Sequence, residues 1–206
     1  MNRLLTTVLI TAALTVATAT SAGSSESDGP ASARSLAARA VHSLSRGEIR
    51  SVAGMMHYPP TYTPEERKKD MSSTGEGLDL IAREFGQISA IQVHTGSALF
   101  YELGGSGGDV PYLSSLSPHY ATQYLYKAKF SKRGDGYIRL TVIQLTAASP
   151  YEILGVYFGL PAANAHSKPA ILEITRKQLI HMQVPITPEV DRQIKESLKP
   201  VRYPAQ

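Results

Sequence analysis

Three strand-like runs joined by short turns, between residues 120 and 160, constrain this chain most. Tyr120, Thr122, Tyr124, Tyr126, Ala128 and Phe130 alternate with Ala121, Gln123, Leu125, Lys127 and Lys129. That is the two-residue period of a strand, in residue types that suit a pleated surface. Arg133-Gly134-Asp135-Gly136 supplies a hairpin turn, because Gly and Asp tolerate positive φ. Residues 137–146 then predict a return strand, 147–150 a tight connection and 151–160 a third strand. Such spacing specifies an antiparallel meander.

Before the meander the period is helical. Leu36, Ala37, Ala40, Val41 and Leu44 fall on one face, and Gly47 is a stop. Ile49, Val52, Ala53 and Met56 repeat the rhythm until His57-Tyr58-Pro59-Pro60 breaks it. Thr63-Pro64-Glu65-Glu66 is a capping box with proline at the first helical position, opening a short charged helix to Asp70. Ser73-Thr74-Gly75-Glu76 offers a second box, predicting a separate helix with Leu78, Ile81, Ala82 and Phe85 on one face and Gly86 at its end. Residues 89–94 and 97–103 look extended, with a Gly-rich loop at 104–108.

After the meander, residues 170–182 suit a helix, although 171–174 would also suit a strand. Thr187-Pro188-Glu189 opens a last helix that Lys199-Pro200 stops. Helices followed by an antiparallel sheet define an α+β fold with a C-terminal helical extension. The organisation expected is a leader at 1–22, a flexible lead-in at 23–32, one α+β domain at 33–161 and an extension at 162–206.

The leader is a cleavable export signal. Arg3 precedes an uncharged apolar stretch at 6–19, and the small residues Thr20-Ser21-Ala22-Gly23 follow. The stretch is shorter than the ~20 apolar residues of a spanning helix and is diluted by threonine. A cut after Ala22, with Ala19 the alternative, leaves 184 of the 206 residues and lowers the net charge from +4 to +3 by removing Arg3. There is no cysteine, which excludes a lipid-modified cysteine at the cut and disulfide stapling. The expected product is soluble, periplasmic or secreted, without a transmembrane anchor after cleavage. Its mild basicity permits contact with anionic headgroups or wall polymers. The compartment disfavours nucleic acid as a partner.

The order of elements resembles the cone-shaped nuclear transport factor 2-like superfamily. The segments AARAVHSLSRGEIRSVAGMMHYPP, FGQI, YLYKAKFSKRGDGYIRLTVIQL and YEILGVYFGLP carry the likeness to its exported bacterial members. It implies helices packed into the concave side of a curved sheet. Such folds host dehydratases, isomerases, ligand binders and interaction modules, so activity does not follow.

Chemistry-bearing motifs are few. Gly104-Gly105-Ser106-Gly107-Gly108 matches the G-x-S-x-G of a hydrolase elbow in letters only, because Asp109-Val110-Pro111 is a poor helix start and the surroundings are antiparallel. None of His42, His57, His94, His119, His166 and His181 has ligand spacing, and no metal or other cofactor is expected. His57 is placed at a helix end, where a protonated ring would complement the dipole. Asp79, Glu84, Glu102 and Glu152 are expected to be solvated, although Glu102 and Glu152 have strand positions that could face inward.

Tyrosine is the excess, eleven against four Phe and no Trp. Tyr120, Tyr124 and Tyr126 share one strand face, and Tyr151 and Tyr157 are expected to share a face two strands along. Packing is the plain reading of both groups. An aromatic pocket or protein-contact surface is the functional one. The resulting expectation is a non-enzymatic exported module. It would bind a small apolar ligand, a partner protein or a second copy of itself through the sheet. A small pocket enzyme of dehydratase or isomerase type is the alternative.

Overall fold

The computed structural model describes residues 29–105 and 116–205. The leader, residues 23–28 and residues 106–108 of the Gly-rich segment lie outside them, whereas Gly104 and Gly105, expected in that loop, end a strand and pair with Tyr157 and Val156. Among the described residues eleven elements follow in order: α1 (Gly29–Ser45), α2 (Ile49–Gly54), α3 (Pro64–Phe85), β1 (Ile88–Val93), β2 (Ala98–Gly105), β3 (Tyr120–Phe130), β4 (Gly134–Gln144), β5 (Glu152–Pro161), α4 (Ser167–His181), α5 (Pro188–Ser197) and β6 (Val201–Tyr203). The fold is α+β, with N-terminal helices packed on a six-stranded antiparallel sheet and C-terminal helices after it.

The sheet order is β1-β3-β4-β5-β2-β6. The meander β3-β4-β5 is its centre, β3 with the expected bounds. Its first turn lies earlier than the sequence suggests. Phe130 pairs with Gly134, so the loop is Ser131-Lys132-Arg133, and Gly134 takes the left-handed φ of 73°. A three-residue loop closed by a left-handed glycine fits the strand twist, and Gly136 becomes a strand residue facing Ala128.

Two helical expectations also change. α3 is a single 22-residue helix, opened by the Thr63–Glu66 capping box. Thr74 and Gly75, where a second start was expected, are buried within it, and a Cβ at Gly75 would lie 3.9 Å from the Ala53 Cβ of α2. Packing against α2 carries the helix through a local break signal. Residues 171–174 are helical in α4, where Ile171 and Ile174 join the core. Helical spacing puts both on one buried face.

The main core lies between the helices and one sheet face. Ala33, Leu36, Ala37, Ala40, Val41 and Leu44 of α1 meet Leu78, Ile81 and Phe85 of α3 and Ile138, Leu140, Val142, Val156 and Phe158 of the sheet. Phe85 stands edge-on to Phe130 at 4.8 Å, a pairing worth about 0.5–1.5 kcal/mol beyond burial.

The opposite sheet face holds a second cluster of Ala98, Phe100, Leu125 and Tyr203, with Tyr137 against it. The Tyr203 hydroxyl on β6 donates to the Gln123 carbonyl on β3 at 2.8 Å, although those strands stand four places apart in the sheet. Contact across so many strands requires the sheet to curl. The C-terminal segment is therefore tied to the sheet on both faces, by α4 on one and Tyr203 on the other.

Candidate functional site

Strand parity sorts the five tyrosines. Tyr120, Tyr124 and Tyr126 point to the helix side from β3, and Tyr126 is buried. Tyr151 joins them, its ring edge-on to Tyr120 at 5.6 Å. Tyr157 does not. β5 carries a bulge at its pairing with Thr141 and Val142, which face Gly155 and Ile153 and leave Leu154 unmatched. One extra residue reverses parity, so Tyr151 shares the side of Ile153 while Tyr157 goes to the opposite face. The expectation that Tyr151 and Tyr157 share a face is thereby corrected.

The tyrosines on the helix side gather where β3 and β5 begin. Tyr120, Tyr124 and Tyr151 are half-buried, with one side against the core and the other to solvent. Burial pushes the Tyr124 phenol up, and its hydrogen bond with the Tyr120 hydroxyl adds to this. Burial likewise raises Tyr126, with Arg34 of α1 pulling the other way. Neutral, donating phenols at the rim of an apolar core combine contact area with directional bonding.

On the other face Tyr157 belongs to a polar cluster. The Arg139 guanidinium lies 3.9 Å from its ring centre. Arg139 Nε and Nη2 donate to Glu102 Oε2 and Oε1 at 2.9 and 2.7 Å, a bidentate pair, and Nη1 donates to Thr141 Oγ1 at 3.4 Å. Both partners are largely buried, with 9% and 15% of their side chains exposed. Burial also raises the Tyr157 phenol, against the lowering effect of Arg139. Glu102 is thus not solvated as expected, and Arg139 carried no local signal. The pair forms because β2 docks on β5, a long-range pairing that no sequence spacing announces.

His57 differs as well. It sits past the end of α2, buried, with Nδ1 2.6 Å from Glu152 Oε2. The segment is fixed by backbone bonds to β5, His57 N–H to the Ile153 carbonyl and Ile153 N–H to the Met55 carbonyl.

No family model, curated protein or solved structure matches the chain. Its function must be read from these groups alone.

Among the described residues no group of three His, Asp or Glu side chains could hold a metal ion. No helix among them is long and apolar enough to cross a membrane. Two open depressions, of about 500 and 580 Å³, lie on the helical side. One is lined by Arg39, His42, Ser43, Arg46, Ser51 and Met55; the other runs along the end of α3 past Asp79, Arg83 and Gly86. None of the five tyrosines lines either.

Proposed function

We propose that this chain is an exported, non-catalytic binding module that holds a partner protein at the tyrosine-rich end of its sheet. One observation carries the reading. Tyr120 and Tyr124 of β3 and Tyr151 just before β5, strands that are not neighbours, converge as half-exposed rings, two of them edge to face. Tyrosine is enriched at protein contacts because a large rigid ring costs little entropy to order.

Export rests on the leader of residues 1–22, and the helix-on-sheet order keeps the likeness to the nuclear transport factor 2-like superfamily as the architectural proposal. A partner protein is favoured over a small ligand because the two depressions are open and lie away from the tyrosines. The pocket-enzyme reading has less support. The buried ionisable groups Arg139 and His57 are each bonded to a carboxylate rather than presented to an apolar cavity.

Photo-crosslinking tests the proposal in cells exporting the full chain. A crosslinker at position 120 should give one discrete adduct. Excess unlabelled wild-type chain should compete it away, and chain carrying Tyr124→Ala and Tyr151→Ala should not. A diffuse set of adducts, equal to that from exposed position 199, would reject the reading.

A further inference from the structure

Charge is distributed unevenly over this fold. Most acids on the later elements are neutralised by neighbours: Asp79 by Arg83, Glu84 by Arg133 and Lys177, Asp191 by Arg176 and Lys195, Glu189 and Glu196 by Arg192. The first two helices are different. α1 contains no Asp or Glu, and the stretch from α1 through Met56 holds four arginines against one acid, Glu48. Glu48 pairs with Arg46. Arg34, Arg39 and Arg50 are exposed and form no ion pair with any described residue.

The placement on α1 follows from helical geometry. Ala33, Leu36, Ala37, Ala40 and Leu44 bury one stripe in the core. At 3.6 residues per turn, His42 falls opposite this stripe and Arg39 lies about 60° to one side of it, with Arg46, just past the helix end, on the same side; the three span about 10 Å. They border the open groove of about 500 Å³ that continues over Ser51 and Met55 of the α2 region. Since the apolar stripe of α1 is spent on the core, whatever this outer face meets is recognised by charge.

We propose that the surface formed by Arg39 and His42 of α1 and Arg46 just after it is a docking surface for an anionic phospholipid leaflet. The two arginines, with His42 between them, are strung along the helix axis rather than converging on one point. That arrangement matches an extended sheet of phosphates better than a single bound phosphate, and basic faces of this kind gain affinity with each residue near the surface. This contact is separate from the tyrosine-rich end of the sheet and does not depend on the reading given for it.

Vesicle co-sedimentation of the full chain tests it, using phosphatidylcholine with and without phosphatidylglycerol. Binding should require the anionic lipid and fall steeply as salt rises. At about 1 kcal/mol per unpaired basic residue, the loss of Arg39 in Arg39→Ala with Arg46→Ala should weaken it about fivefold, and the loss of Arg46, whose charge Glu48 offsets, should add less. Both side chains are exposed, so the variant should keep its thermal midpoint. Lys127→Ala with Lys129→Ala, on the sheet, is the control and should change binding less than twofold, a factor of roughly 0.4 kcal/mol. Equal binding to neutral vesicles, equal loss from the sheet variant, or displacement by inorganic phosphate or soluble polyphosphate at matched phosphate concentration would each overturn the assignment.

Discussion

The Arg139 guanidinium is stacked 3.9 Å from the centre of the Tyr157 ring, and the two residues are direct cross-strand partners on β4 and β5. The stacked arginine is also the bidentate partner of Glu102, so one buried cation is satisfied by a ring below and a carboxylate beside it. Removing either ionic partner leaves the other charged and desolvated. Arg139→Ala or Glu102→Ala should each lower stability by about 3–5 kcal/mol. Glu102→Leu combined with Arg139→Met should recover most of that loss. Urea unfolding of the three variants checks this, and a double variant no better than the singles would show that the pair is not the cause.

Tyr157 can lie across the sheet because two neighbours lack side chains. A Cβ at Gly155 would stand 2.6 Å from Tyr157 Cε2, and one at Gly104 would stand 2.8 Å from its Cε1. Gly155→Ala must displace a ring held by Arg139 and by the strand, so it should cost about 1–3 kcal/mol. With Tyr157→Leu already present, the same change should cost less than half as much. A thermal-unfolding cycle over the four chains measures the coupling, and additivity would mean that the ring is not what Gly155 accommodates.

Periodicity made the central strands legible because alternation is a local property. β3 needed only its own eleven residues, and the grouping of Tyr120, Tyr124 and Tyr126 came with it. Tyr151 and Tyr157 illustrate the limit. Six residues apart, they should share a face in an unbroken strand, and the bulge at Leu154 that parts them is produced by register against β4. The Ser73–Glu76 capping box was locally sound yet overruled by burial of Thr74 and Gly75 within α3. β6 has three residues and gains its pairing only from Ala98, Leu99 and Phe100 of β2, so no pattern of its own could announce it. Glu102 and Arg139 meet through the same non-local topology.

Alkaline pH should unfold this chain through its phenols. Burial raises Tyr58, Tyr124, Tyr126 and Tyr157 above the ordinary value of 10.0. A raised folded value means that the folded chain holds protons the unfolded chain releases. The stabilisation is therefore complete below pH 10 and is lost as pH climbs from there through the folded values. Urea midpoints should stay level with respect to these groups up to about pH 9.5 and drop beyond it, with tyrosinate absorbance appearing together with unfolding. Full tyrosinate absorbance at pH 11 with the native circular dichroism retained would contradict the prediction.

The contact of His57 with Glu152 fastens the segment after α2 to the start of β5. The imidazole is 2% exposed and its Nδ1 lies 2.6 Å from a carboxylate that is 27% exposed. The same segment makes a parallel bridge from Met56 to Ile153, so side-chain and backbone bonds act on one short stretch. Glu152→Ala removes the acceptor from a buried ring nitrogen and should cost about 1–3 kcal/mol. Glu152→Gln keeps an acceptor oxygen and should cost less. The effect should also be local. Amide exchange of His57 and Ile153 should speed up in Glu152→Ala by more than that of Leu78 inside α3, because opening this stretch does not require the core to part. Equal acceleration at all three amides would mean that the pair stabilises the whole fold rather than this junction.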